Sequence, residues 1–424
     1  MKIGLGIAAA TLAAGAAFWA AGYSRAEDKP AAPAPAHGAP DLDNLPEVVF
    51  DDSIGDWVVD RFAGNNTAGS RFCQGPAREV GGLQRPSGCV EAGDGTVYLN
   101  CGLVGAAVKK LVKVTPDGML RLVMETRGLI EGPMEQCQAG APIWNPKDKA
   151  LYLTGPNCLR RVVEKPDGSR WVEVVAGIPN KAPDKRSKPQ DGPAKEATFQ
   201  SFCRGVVCNS QGTFFWLEDE RTDRALRRLE NGTVSTVPLK FVDQDRDNCL
   251  VFAMAQGLLS LGENDDTLYI TSFYYLKGVF RCDLKTGELT RVCGIKAHSD
   301  KYKRGGKETD GPALTHAGGN SGIRGLYDPF YNALWVWGPD HLRFRWLRLD
   351  GDGWVRTVFA ARRPQTKPQP FGPNELNAVG VPGEQWRLYL CNCAGVDSKG
   401  GVFITGWADQ SGVWRAYNKK EVKR

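Results

Sequence analysis

The sequence predicts an all-β fold, a six-bladed β-propeller closed by an N-terminal strand, and three observations lead there. First, 50 Gly and 26 Pro in 424 residues, with 42% apolar side chains, suit many short strands and tight turns better than helical bundles. Second, the phrase Gly-Pro-Ala recurs at Gly75, Gly192 and Gly311, each time ahead of a loop, a glycine and a β-rich hairpin. Third, WVVDRFAG from Trp57 matches WVEVVAG from Trp171, yet no trio of strands precedes it.

In chain order, the best copy of the repeat begins QGPAREVGGLQRPSGCVEAGDGTVYLN at Gln74, where GCVEA and TVYLN flank Gly93-Asp94-Gly95 as a hairpin. Its register returns in Gly88/Tyr98, Gly205/Phe215 and Gly325/Trp335. Fainter copies start at Ala139, Gln256 and Ala394, which makes six units. Five continue into a fourth strand, from Met119, Trp171, Thr233, Glu288 and Trp354. The last unit lacks one, and Trp57–Gly64 at the front supplies it. A radial ring with one exchanged strand leaves few exposed sheet edges, whereas an open solenoid or a sandwich explains neither four strands per unit nor the exchange. The propeller is expected over residues 52–424.

Residues 1–26 read as an export signal or an N-terminal anchor: Lys2, an apolar run from Ile3 to Tyr23, then Ser24-Arg25-Ala26 with small residues where a signal peptidase cuts. Residues 27–51 form a Pro/Ala-rich spacer. The chain is therefore expected to be exported, as a periplasmic or extracellular protein, or held at the membrane by an uncleaved leader. Removing Lys2 and Arg25 with the leader lowers the formal charge from +6 by two, to +4, and no basic stripe interleaves with aromatics, which argues against a nucleic-acid partner. Most of the twelve cysteines, which lack C-x-x-C-H or paired zinc spacing, are read as disulfide staples, with Cys89–Cys101 and Cys282–Cys293 as candidate hairpin neighbours and some left as buried free thiols.

The run from GPAREVGGL through the Asp94-Gly95 turn to TPDG at Thr115 resembles the NHL-type repeat of six-bladed propellers. That group is similar in turn to the calcium-dependent lactonases related to regucalcin and gluconolactonase. The resemblance implies a channel lined by the first strand of each blade, with the loops entering strand one and those joining strands two and three sharing one rim. In the lactonases it also implies a divalent ion held by Glu, Asn and Asp at the channel mouth. The matching entry positions here are Ser87, Ala139, Arg204, Gln256, Arg324 and Ala394, none of them a carboxylate. Gln256 stands where the lactonase pattern has Asn. Glu131, in IEGPM, resembles the Glu-Gly-Pro signature of that group but lies early for its strand, where its Gly-Pro fits the repeat loop.

Arg204 and Arg324 suit the mouth to an anion, because guanidinium forks hold carboxylate or phosphate by two parallel bonds. Asp243, Asp245 and Asp247 alternate as in the first half of a calcium loop, but Met254 stands where the closing Glu is required, so only a partial or structural site is open to them. Four histidines and no G-x-S-x-G leave little for nucleophilic hydrolysis. The expected function is an exported, non-catalytic propeller binding an anionic small molecule or a protein partner through its loop-rich face, with no cofactor required. The alternative is a lactonase-like hydrolase using calcium or another divalent cation. A third reading makes the chain a structural component of an envelope assembly.

Overall fold

Alternating apolar residues form strands where the sequence places them, and the computed structural model arranges them in six sheets. The structure describes residues 51–65, 72–83, 86, 88–102, 110–181, 189–199, 205–218, 225–242, 259–272, 278–294, 310–315, 324–337, 343–360, 381–382, 391–406 and 412–421. The chain divides into Met1–Asp41 and Leu42–Arg424, and every described residue falls in the second unit. The leader and most of the spacer lie outside the described residues. Among those residues there are only short 3-10 turns, such as Ile54–Asp56 and Met134–Gln136, and no helix is long and apolar enough to cross a membrane.

Blade one has Gly88–Glu91 innermost, then Val97–Cys101, Lys110–Val114 and Met119–Glu125. Blade two repeats this with Pro142–Asn145, Ala150–Gly155, Cys158–Glu164 and Arg170–Gly177, and blade three with Val207–Cys208, Phe214–Glu218, Ala225–Glu230 and Thr233–Val237. Blade four uses Leu259–Leu261, Thr267–Ser272, Gly278–Asp283 and Glu288–Gly294; blade five uses Arg324–Asp328, Ala333–Trp337, Arg343–Arg348 and Trp354–Ala360. Blade six takes Cys391–Val396, Gly401–Gly406 and Val413–Asn418 from the C-terminal end and Trp57–Ala63 from the N-terminal end. That front strand pairs antiparallel with Val413–Asn418, from Trp57 opposite Asn418 to Ala63 opposite Val413. The innermost strand of blade six begins at Cys391, ahead of the expected Ala394, which lies inside it.

Each sheet also has a fifth strand that periodicity does not reveal. Gly75–Pro76, Gly132–Pro133, Gly192–Pro193, Gly311–Pro312 and Val381–Pro382 run antiparallel to the fourth strand of their blade, at its outer edge. In blade four Lys240–Phe241 does so in parallel. The Gly-Pro phrase thus enters a blade in sequence and caps its rim in space. Proline lacks the N–H an added strand would need, so it blunts the edge. The preceding glycines have φ of +150°, +134°, +142° and +149° in blades one, two, three and five, a region that side-chain-bearing residues avoid. The alanine that follows ties two hairpins together: Ala77 and Ala194 donate to the turn carbonyls of Gly118 and Gly232, and their own carbonyls accept from Gly64 and Gly177, which end the preceding blade's fourth strand.

Six apolar clusters fill the ring, each built from two consecutive blades, including the last against the first. The largest aromatic group lies between blades five and six, where the ring of Trp57 sits 5.2 Å from Trp335, 5.3 Å from Tyr331 and 5.6 Å from Trp346. Several cysteines are core residues and not staples. Cys101, Cys208, Cys282 and Cys293 are buried thiols, and burial pushes each up to about 12, so almost no thiolate forms near neutral pH. The pairings expected from sequence are not formed, because Cys282 lies opposite Leu289 and Cys293 opposite Val279, while Cys89 faces Leu99 and Cys101 faces Lys110.

Candidate functional site

The innermost strands are neighbours in sequence order around the ring, and that of blade six meets that of blade one. They enclose the channel. Arg324, the first residue of its strand, stands at the rim end of blade five opposite Trp337. Arg204 and Gln256 lie outside the described residues, as do Asp243, Asp245 and Asp247. Arg204 immediately precedes Gly205, just ahead of the innermost strand Val207–Cys208. Glu131 is exposed and sits immediately before the outer-edge strand Gly132–Pro133.

The rim ends of the second strands bring polar groups close to the channel. Thr154 accepts from the backbone N–H of Ala141 at 3.0 Å, and Thr271 reaches across to the next blade to bond the N–H and C=O of Gly325 at 3.0 and 3.2 Å. Asn100 lies opposite Gly88, where a Cβ would come within 2.9 Å of its Oδ1. Glycine is needed there for the side chain of Asn100 to lie beside the inner strand. Among the described residues, Asn100 Oδ1 and Trp337 Nε1 are buried with no hydrogen-bond partner. Buried polar atoms are satisfied in nearly all cases, so these two mark the rim as a place with bonding capacity left over.

The buried carboxylates among the described residues are spent on the framework. Asp310 accepts from Arg345 Nε at 2.6 Å and from the backbone N–H and hydroxyl of Thr357 at 3.1 and 2.6 Å. Asp191 takes the same place in blade three, accepting from the N–H and hydroxyl of Thr236 at 2.9 and 3.0 Å and pairing with Arg227 at 3.0 Å. In blade one Gln74 accepts from the N–H of Leu122 at 3.0 Å, and the third-strand position opposite Leu122 is Val112, not arginine. Sequence reasoning missed these interior ion pairs. Their signal was present, as Asp ahead of Gly-Pro-Ala accompanied by Arg in the third strand and Thr in the fourth. Glu218 accepts from Trp216 Nε1 at 3.0 Å and Asp397 pairs with Arg415 at 2.5 Å.

At the opposite end of the ring, where first and second strands turn into each other, Asp328 is buried and accepts from Trp335 Nε1 at 2.8 Å and from the N–H of Phe330 at 3.0 Å. Burial raises its pKa from 3.8 to about 6, against those hydrogen bonds and with a smaller push from Asp397. A folded-state pKa above the unfolded value means that the stability this group contributes is fully present below pH 3.8 and is lost as pH rises through about 6. Asp328→Asn keeps an acceptor for Trp335 and removes the titration. The variant is expected to flatten the fall in unfolding free energy between pH 4 and 6 and, at pH 7, to equal or exceed the wild type by about 1–3 kcal/mol. Denaturant titrations across that range check it, and a variant with an unchanged slope would dismiss Asp328 as the titrating group.

No protein-family model matches the chain, and no curated protein matches it in sequence. The NHL-type resemblance therefore rests on motif and architecture. Solved structures do match. An auxiliary nutrient binding protein from Bacteroides thetaiotaomicron superposes with a TM-score of 0.55 at 13% identity, covering 85% of this chain and 76% of that one. Its counterpart from Bacteroides ovatus gives the same values, and a protein of unknown function from Bacteroides thetaiotaomicron gives 0.53 at 15%. A gluconolactonase from Xanthomonas campestris superposes at 0.44 and 11% identity, over 88% of this chain and 95% of that one. At these identities the likeness concerns the fold: the chain is a six-bladed β-propeller.

Proposed function

We propose that the chain is an exported, non-catalytic propeller that binds a ligand or protein partner through its loop-rich rim, and that Arg204, Arg324 and Gln256 receive an anionic group. The observation that carries this reading is the placement of charge. The buried carboxylates Asp310, Glu218, Asp328 and Asp397 accept hydrogen bonds from donors inside their own blades, while an arginine opens the innermost strand of blade five. A hydrolase working through a hard cation needs carboxylates converging on the channel mouth. A binding site for carboxylate or phosphate needs guanidinium groups there. The leader expected at residues 1–26 supports export, and the nutrient-binding description of two structural neighbours fits a binding role.

Calorimetry of the mature chain with small carboxylates, acidic sugars and phosphate esters tests the reading. Arg324→Ala and Arg204→Ala are each expected to weaken binding by about 10- to 100-fold, the loss of one charge-assisted pair. Metal content and lactone hydrolysis are measured on the same preparations, including one with Asp243 and Asp245 changed to Asn. Near-stoichiometric divalent metal that survives those two changes, together with chelator-sensitive lactone hydrolysis, would replace this function by the hydrolase reading, with Gln256 and Glu131 as its ligands to test next.

A further inference from the structure

Three blades carry arginine at one register position of the third strand, and they differ in what meets it. Arg160 lies opposite Val174, Arg227 opposite Thr236 and Arg345 opposite Thr357, and all three side chains are fully buried. Arg227 and Arg345 pair with Asp191 and Asp310, the residues immediately before Gly192-Pro193 and Gly311-Pro312. Blade two has Glu131 at that place, and Glu131 is exposed. Arg160 instead donates from Nη1 to the carbonyls of Gln138 at 2.8 Å and Ile130 at 3.3 Å, and from Nη2 to that of Thr154 at 2.5 Å. Its Nε has no partner, and no carboxylate pairs with it among the described residues.

A buried cation compensated only by carbonyl dipoles is costly, and something of opposite charge should relieve it. A small ion from solvent is a poor candidate. A Cβ on Gly140 would come within 2.8 Å of Nη2 and one on Gly155 within 2.7 Å of Nε, so backbone closes those two sides of the guanidinium, and a counter-charge has to come from the side of the Ile130 carbonyl. The chain just ahead of Glu131 is in place. The Ile130 carbonyl touches Arg160 as the Gln190 carbonyl, at 3.1 Å, touches Arg227 beside Asp191.

We propose that Glu131 is a hinged counter-ion for Arg160, turning from its exposed position onto the guanidinium edge, and that the pair latches the rim hairpin of blade two. That hairpin, residues 126–139, is held by Arg127 N–H to the Cys137 carbonyl at 3.1 Å, Leu129 N–H to that of Gln136 at 3.0 Å and Gln138 N–H to that of Leu129 at 2.7 Å. Arg160 grips both of its arms, at Ile130 and at Gln138, and Gln138 leads into the innermost strand Pro142–Asn145. Closing the pair therefore fixes the entry of blade two at the channel. The aspartates of blades three and five are one methylene shorter on the same backbone position and are already closed. The longer glutamate arm can also leave.

Full-length mature protein carrying Glu131→Gln or Glu131→Asp tests this by thermal unfolding and by amide exchange over residues 127–139. Glu131→Gln is expected to lower Tm by about 2–4 °C and to speed exchange at Leu129 and Gln138 severalfold. Glu131→Asp, which copies Asp191 and Asp310, is expected to hold or raise Tm and slow that exchange. Glu131→Gln indistinguishable from wild type in both readouts would overturn the latch and leave Arg160 held by carbonyls alone. Glu131→Asp losing as much as Glu131→Gln would also overturn it, by showing that the carboxylate at this place is not what holds the hairpin.

Discussion

Trp57→Ala is expected to cost about 3–5 kcal/mol of unfolding free energy, the range for removing a large aromatic from a packed core, and to be among the most damaging single substitutions in the chain. Trp57 is fully buried, and its ring packs edge-on against Trp335 and Trp346 with Tyr331 alongside. Its Nε1 donates to the hydroxyl of Ser53 at 3.1 Å. The contacts matter because of where they are made. Trp57 opens the N-terminal strand of a blade whose other strands come from the C-terminal end, and its ring neighbours belong to blade five. Losing the ring therefore leaves a cavity at the junction where the two ends of the fold meet. Trp171 gives the control: it is the second residue of a fourth strand, but it is 37% exposed, with Lys165 over its ring at 5.6 Å. Trp171→Ala is expected to cost less than about 1 kcal/mol. Chemical denaturation of both variants checks the contrast, and equal losses would mean that ring closure does not depend on Trp57.

That contrast also marks what a single sequence makes readable. WVVDRFAG and WVEVVAG share the same residues at the start and end, although Trp57 is buried in an interblade core and Trp171 is not. The exchange of the front strand could be inferred from that likeness. The hairpin at Gly93-Asp94-Gly95 was readable too, since its turn chemistry and flanking alternation agree. The outer-edge strands were not: two residues carry no periodicity, and Gly-Pro reads as a loop unless its partner strand is known. Cys282 and Cys293 misled because a buried thiol and a disulfide half leave the same mark in a sequence, and only the register shows the two to be out of step. At the rim the difficulty is greater. Arg204, Gln256 and the acids from Asp243 to Asp247 lie outside the described residues, and in the sequence they fall between strand signals, where neither alternation nor turn chemistry fixes a side chain's direction. The placement of Glu131 needed the comparison with Asp191 and Asp310, whose roles depend on which arginines the third strands bury.

Those two aspartates make the second large effect. Asp310→Ala is expected to cost about 3–5 kcal/mol, because it takes the carboxylate from a guanidinium that stays buried. Both members of the Asp310–Arg345 pair are 0% exposed, and the same carboxylate also accepts from the N–H and hydroxyl of Thr357. One side chain therefore joins the segment ahead of Gly311-Pro312 to the third and fourth strands of blade five. Asp191 makes nearly the same contacts with Arg227 and Thr236, but it is 49% exposed, and Arg227 also has Glu218 at 3.5 Å. Water can reach the place Asp191 vacates and a second carboxylate remains, so Asp191→Ala is expected to cost about 1 kcal/mol. Two variants of one motif in one chain thus separate the effect of burial from that of geometry. If denaturant unfolding shows Asp191→Ala and Asp310→Ala to be equally harmful, the hydrogen bonds to the fourth-strand threonine set the cost. If Asp310→Ala is several-fold worse, the desolvated arginine does, and the Asp-Gly-Pro phrase is conserved within the chain for the charge it carries inward.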